Sequence, residues 1–364
     1  MRCMAWRRTD AISPAVPSGY GPNDLQTAYN LPSTTGGLFQ TIAIVDAYDD
    51  PKAESDLAFY RSTFSLPACT TANGCFLKVN QNGSTSPLPM TDPAGCASSC
   101  WEEEEALDID MASAVCPNCH IVLVEANSPV NTDLYTAEDT AATKCAATEI
   151  SNSWSGAEYS TEQNDDVFFN HPGVPITVAS GDTGYPGGYP GASQYVTAVG
   201  GTRLCTATNK GPCGGVAEEI AWHLTGALCS VYYPQPAWQT ALGAAYTSVC
   251  SMRINNDVSA VADIATPVAV YTTYGGDPGW LAFGGTSVAT PIIAGVYALA
   301  GNGASINDGS YSYSHKAQLN DITKPAATDI AACVAPYTGT FVCDAETGYD
   351  GPTGNGTPNG VGGF

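Results

Sequence analysis

Basic residues are scarce in this chain: 12 Lys and Arg stand against 35 Asp and Glu among 364 residues, a formal charge of −23. A surface so poor in cations excludes most nucleic-acid and anionic-membrane partners, which need positive charge to displace counterions or meet headgroups. Charge of either sign is low, at 13% of residues, against about 25% in ordinary soluble domains. Few ion pairs are therefore available for acid to break, and carboxylates without cationic partners take up protons at little cost to folding. The composition suits a secreted protein working at low pH. No apolar run reaches the roughly 20 residues of a membrane span. The first residues, Met1 to Arg8, are too short and polar to hold a signal-peptide core, so an exported form is expected to carry sequence upstream.

Histidine is also rare. The four, His120, His171, His223 and His315, lie outside any Gly-rich or acidic setting suited to a general base. A Ser-His-Asp triad stays open on residue type alone but lacks its usual local context, so a serine nucleophile here would need a carboxylate as its base, which works only where the carboxylate pKa lies near the ambient pH.

Cysteine, by contrast, is plentiful: fourteen, with 38 Gly and 25 Pro, mark a loop-rich chain from an oxidising compartment. Short spacings pair Cys69 with Cys75, Cys96 with Cys100, Cys205 with Cys213 and Cys333 with Cys343. Cys116-Pro-Asn-Cys119 is the single C-x-x-C. Without a second one, a structural disulfide is favoured over half a zinc site or a redox pair. The connectivity of Cys3, Cys116, Cys119, Cys145, Cys229 and Cys250 stays open.

Short apolar runs at 41–46, 120–125, 149–154, 174–179 and 195–199 read as strands covered on both faces, and 51–65 and 132–145 as helices between them. The class is α/β with a mostly parallel sheet and helices on both faces. No composition shift interrupts residues 20–353, so a single large domain is expected. Residues 1–18 read as a leader tail, and the Gly-rich stretch at 354–363 as a mobile end or a loop anchored by something other than packing.

Three segments carry candidate chemistry. Phe283-Gly-Gly-Thr-Ser287 precedes an apolar helical run ending at Gly301, which puts Ser287 at a helix start where N–H groups and the dipole favour developing negative charge. Simple helix capping by Thr286 or Ser287 is the plainer reading of that segment alone. In Trp101-Glu-Glu-Glu-Glu-Ala-Leu-Asp108, Glu104 and Asp108 stand at i and i+4, so their carboxylates face each other and, if buried, share a proton. Glu102 and Glu103 read as a solvated acidic first turn. Ser180-Gly-Asp-Thr-Gly184 follows a strand and places Asp182 at the sheet edge where α/β proteins bind ligands; a turn residue is the plain alternative.

In the order Glu-x-x-x-Asp, Ser-Gly-Asp-x-Gly, Gly-Thr-Ser-x-x-x-Pro, these segments resemble the sedolisin family of serine-carboxyl peptidases, relatives of subtilisin. The resemblance runs from Ser18 to Asp350. It implies a subtilisin-like fold, with Ser287 as nucleophile, Glu104 as general base, Asp108 orienting Glu104, and Asp182 as oxyanion partner. Glu104 is preferred to Glu105 by its spacing of four from Asp108, and Asp110 is a weaker competitor for Asp108. Asp46 at the end of the first strand and Trp154, its indole donating to that acid, are expected as supports, and Ser153 with Trp154 as lining of a substrate cleft. The resemblance further implies one Ca²⁺ held by the side chains of Asp321 and Asp350 and the carbonyls of Ile322, Glu346 and Gly348. Relatives often carry Gly where Glu346 stands. It also implies a large N-terminal prosegment that aids folding and blocks the cleft, of which residues 1–18 resemble the end, followed by a catalytic domain over 19–364. The expected protein is a secreted, acid-active, monomeric endopeptidase acting on proteins or peptides. A tripeptidyl peptidase and a catalytically silent calcium-binding scaffold are the alternatives. The sequons at Asn82 and Asn355 matter only in a glycosylating host.

Overall fold

A computed structural model describes residues 1–8, 16–95, 101–275, 277–325 and 329–364. Its centre is a sheet of eight strands. In chain order these are β1 (Thr41–Ala47), β2 (Phe76–Asn80), β3 (His120–Ala126), β4 (Glu149–Asn152), β5 (Ile176–Ala179), β6 (Thr197–Cys205), β7 (Glu218–Ala221) and β8 (Val258–Val261). They lie side by side as β2-β3-β1-β4-β5-β6, with β8 and β7 both on β6. All pairings are parallel except β6 with β7, which is antiparallel.

The near-continuous apolar runs follow from helices covering both faces. Because successive side chains alternate, Ile42 and Ile44 of β1 enter one core with Leu107 and Met111, while Ala43 and Val45 enter the other with Leu134 and Tyr135. The first core holds α1 (Ala53–Thr63), α2 (Trp101–Val115) and α4 (Thr286–Ala300); the second holds α3 (Asn131–Lys144). Every residue of α2 is buried, because α4, the sheet and α1 surround it. This corrects the expectation for Glu102 and Glu103. Glu102 accepts the Asp92 N–H at 2.7 Å and Glu103 accepts from Arg7 at 2.7 Å, so both are enclosed rather than solvated.

Two further strands, β9 (Val268–Thr272) and β10 (Gly279–Gly284), form an antiparallel hairpin leading into α4. The supposed loose ends are packed. Thr357–Pro358 pairs with Leu319–Asn320, and the Phe364 ring meets Tyr297 edge-on. At the other end, Arg2–Cys3 pairs with Trp154–Ser155, and Trp6–Arg7 adds to β10. Disulfides join Cys69–Cys75, Cys205–Cys213 and Cys333–Cys343 as their spacing suggests, together with Cys116–Cys119 and Cys229–Cys250. Cys96 and Cys100 lie outside the described residues, and Cys3 and Cys145 are free thiols. No helix among the described residues is long and apolar enough to cross a membrane.

Candidate active site

The carboxyl ends of the parallel strands gather the candidate residues at one edge of the sheet, where strands stop and backbone becomes available to ligands. Asp46 is the penultimate residue of β1, Ser153 and Trp154 follow β4, and Asp182 follows β5. The helices α2 and α4 close over this edge, bringing Glu104 and Asp108 from one and Ser287 from the other.

Ser287 is the second residue of α4. Its hydroxyl points to the Ser153 carbonyl at 3.3 Å. Pro291 stands four residues on, inside the helix, and has no N–H to return to the Ser287 carbonyl. That carbonyl instead meets the Ser153 hydroxyl at 3.4 Å, and the same hydroxyl donates to Asp108 Oδ1 at 2.9 Å. Ser153 thus ties the helix of Ser287 to the helix of Glu104 and Asp108.

Glu104 is fully enclosed between the Ser287 hydroxyl, the Cys3 thiol, Asp108 and Asp182. Neither of its oxygens has a hydrogen bond of normal geometry, and both Asp46 oxygens and Asp108 Oδ2 are likewise unpartnered. Burial first, then Asp108, pushes the Glu104 carboxyl well above its ordinary range, although Ser287 pulls it back. Burial raises Asp108 in the same direction against the Ser153 hydrogen bond. Asp46 is raised by burial and then by Asp108, Glu104 and Glu125. Like charges this close cannot all be ionised, so the group holds protons in mild acid.

The neighbouring acids divide by helix rotation. Glu105 turns away from Ser287 and accepts the Asp50 N–H at 3.0 Å beside Glu125. Asp110 accepts the Tyr271 N–H at 2.9 Å near Arg61. Only Glu104 of this run faces Ser287. Trp154 departs from expectation: its indole donates to the Val45 carbonyl at 2.8 Å, not to Asp46. It fixes the strand end from which Asp46 projects.

Sequence reasoning missed Glu125, which lies opposite Asp46 in the β1–β3 register, with Lys78 Nζ at 3.2 Å. Its signal was available, since it ends an apolar strand just as Asp46 does. Burial lifts Glu125 to about 9 despite Lys78. Asp46 thereby has both Glu104 and Glu125 as acidic neighbours, and Lys78 joins Glu125 to Asp49.

Asp182 accepts from the Thr286 N–H at 2.8 Å and the Thr286 hydroxyl at 2.7 Å, both through Oδ1, leaving Oδ2 buried and unpartnered. Burial pushes its pKa to about 7, against those hydrogen bonds and Arg2. Below that pH the free oxygen carries a proton and becomes a donor.

Residues expected as a leader tail thread this site. The Met4 carbonyl accepts the Ser287 N–H at 3.1 Å, and the Met4 N–H lies 3.0 Å from Ser287 Oγ and 3.1 Å from the Ser153 carbonyl. Gly285, at φ +107°, permits this approach. A Cβ there would stand 2.1 Å from the Met4 carbonyl oxygen and 2.6 Å from Asp182 Oδ2, so the two oxygens crowd one point. The Met4 residue therefore lies beside the hydroxyl, its carbonyl accepting the Ser287 N–H and its oxygen and Asp182 Oδ2 both flanking Gly285. A cavity of about 670 Å³ beside Arg2 and Met4 is lined by Gly156, Gly181, Tyr185, Leu228 and Tyr232.

That arrangement is the setting for comparison with known proteins. A model of the subtilase family matches residues 94–337. The chain belongs to the subtilase family. Among its members the chain is similar to sedolisins: it is 30% identical to kumamolisin of Bacillus sp. (strain MN-32) and 25% identical to sedolisin of Pseudomonas sp. (strain 101), each over 95% of its length. It spans 63% and 61% of those two relatives. The structure of Pseudomonas sedolisin, a serine-carboxyl proteinase complexed with two molecules of pseudo-iodotyrostatin, matches with a TM-score of 0.74 at 24% identity, over 95% of this chain and 96% of that one. Sphericase shares the fold with a TM-score of 0.54 at 19% identity, over 95% of this chain and 99% of that one.

The residues of the expected calcium site also converge. Asp350 is fully buried, its Oδ2 accepting the Glu346 N–H at 2.9 Å and its Oδ1 the Thr353 N–H at 2.8 Å. Asp321 accepts the Gly348 N–H at 2.9 Å. Burial, and to a lesser degree Asp321, raises the Asp350 carboxyl well above its usual range. Among the described residues no Lys or Arg pairs with either acid, and the carbonyls of Ile322, Glu346 and Gly348 make no hydrogen bond within the protein. Two carboxylates and three free carbonyls from loop segments are hard oxygen donors, a set that fits Ca²⁺.

Proposed function

We propose that this protein is a secreted, acid-active serine-carboxyl endopeptidase. The observation that carries the reading is a peptide carbonyl held against Ser287 and Asp182, with Glu104 enclosed beside the hydroxyl. Ser287 Oγ attacks the carbonyl carbon as Glu104 takes its proton. The oxygen gains charge beside the Ser287 N–H and the protonated Asp182, a preorganised pair of donors. Collapse breaks the C–N bond, Glu104 returns the proton to the leaving amine, and the serine is left as an ester. Water then repeats the sequence with Glu104 as base and releases the acid. Asp108 and Asp46 share protons with Glu104 and make it more basic than an ordinary carboxylate.

Four residues, Met1 to Met4, occupy the cleft before the bond, one more than a tripeptidyl enzyme would admit; this favours internal cleavage. The same placement supports residues 1–8 as part of an inhibitory prosegment, with the Met4–Ala5 bond in position for self-cleavage. Asp321, Asp350 and the three carbonyls would hold Ca²⁺, which neutralises two facing carboxylates and pins the C-terminal loop to the sheet. The disulfides agree with an extracellular site of action.

Digestion of an unfolded protein at pH 4, read by product masses, tests the reading. The full chain should release internal fragments and Ser287→Ala should release none. Equal products from both chains would remove the nucleophile.

A further inference from the structure

The segment seated in the cleft continues past the Met4–Ala5 bond, and its contacts there describe what the enzyme recognises downstream. Trp6–Arg7 pairs antiparallel with the end of β10, Arg7 opposite Phe283 and Trp6 opposite Gly284, and the Arg8 N–H reaches the Ala282 carbonyl at 2.9 Å. The edge of β10 thus receives peptide as an added strand, an interaction that reads backbone and fixes register without selecting sequence. Register then decides which side chain meets which wall. Ala5 is first after the bond, Trp6 second, Arg7 third. Arg7 Nη1 donates to Glu103 Oε1 at 2.7 Å, and Nη2 lies 3.1 Å from Asp277 Oδ2. The Glu103 side chain is only 10% exposed and sits one residue before the candidate base, whereas Asp277 is 43% exposed in the β9–β10 hairpin.

Two carboxylates on separate elements therefore take the two terminal nitrogens of one guanidinium, a geometry that an ammonium or a neutral side chain cannot reproduce. We propose that Glu103 and Asp277 form a subsite selecting arginine at the third position after the cleaved bond. The proposal rests on the peptidase reading above and adds its substrate class: unfolded peptides carrying a guanidinium three residues downstream of the cut. Glu103 acts here as a binding residue for substrate, distinct in role from its neighbour Glu104.

The test uses the full chain, held at pH 4 until its own cleavage is complete, and peptides of sequence Met-Arg-Ala-Met-Ala-Trp-X-Arg with X as Arg, Ala or Glu. The expected result is cleavage after the second Met, with kcat/KM for Arg about tenfold above Ala, a ratio worth about 1.4 kcal/mol. In Glu103→Gln and in Asp277→Asn the Arg-to-Ala ratio should fall toward one while cleavage of the Ala peptide persists. Asp277→Lys, on an exposed hairpin, should raise the Glu peptide relative to the Arg peptide. A wild-type ratio near one, or variants that slow all three peptides equally with the ratio intact, would overturn the subsite and leave the peptidase standing. Failure of the wild type to cut any peptide, matching Ser287→Ala, overturns the peptidase reading and the subsite with it.

Discussion

Asp257 and Glu104 are both buried completely, yet their surroundings are opposite. Asp257 is held by Arg253 through two contacts at 2.8 and 2.6 Å, by the Tyr313 hydroxyl at 2.8 Å and by the Ala198 N–H at 2.8 Å. Glu104 has other acids for neighbours and no hydrogen bond of normal geometry. A carboxylate surrounded by donors is a fixed acceptor that ties β6 to the strand Met252–Asn255. One surrounded by carboxyls can take or release a proton, which is what base catalysis in acid demands. Burial alone therefore does not identify a reactive acid; the identity of its partners does.

The sharpest way to break that contrast is Glu104→Gln, which keeps size and burial but removes the base. Peptide hydrolysis should fall about 10³-fold, within the range such groups contribute, with the melting temperature unchanged or raised. A variant retaining most of its kcat would place the base elsewhere. At the other acid, Arg253→Met strands a buried anion, and urea denaturation should show a loss of about 3–5 kcal/mol. If stability is unchanged there, Asp257 is held by its neutral donors alone.

Asp182→Asn is subtler, because the amide retains an N–H to offer. Activity at pH 4 should drop only about tenfold, less than full removal of an oxyanion donor costs. The alkaline limb, which in the wild type follows loss of the Asp182 proton near pH 7, should disappear. A limb that survives the substitution belongs to another group.

A further expected effect concerns stability. Folding raises the carboxyl pKa of Asp50 and Asp182 to about 7 and of Glu125 to about 9. A raised group binds its proton more tightly in the native chain, so its contribution is complete below the ordinary carboxylate range and is lost as pH climbs through 7 to 9. Urea midpoints of the Ser287→Ala chain should accordingly be higher at pH 4 than at pH 8; the reverse order would mean that paired anions dominate.

Much of this was legible beforehand. Parallel strands announce themselves as apolar runs, and the spacing of Glu104 and Asp108 puts them on one helical face whatever lies around them. Three disulfides followed from short loops. What eluded the sequence depends on distant packing. Glu102 and Glu103 read as surface acids because no local pattern says that α4 and the N-terminal segment will cover α2. The Trp154 indole goes to Val45 rather than Asp46, a difference of one backbone position set by strand register. Residues 1–8 carry no periodicity because they borrow their strand geometry from the cleft they fill.

The order of the main sheet has one last consequence. β1 joins β3 and β4 at the centre, and Ser287 arrives on a helix that follows every strand of that sheet. Closing such non-local pairings is slow. A half-synthesised chain has acids and a cleft in pieces but no Ser287 hydroxyl beside them, so the proposed peptide cleavage cannot begin until the chain's own construction is finished.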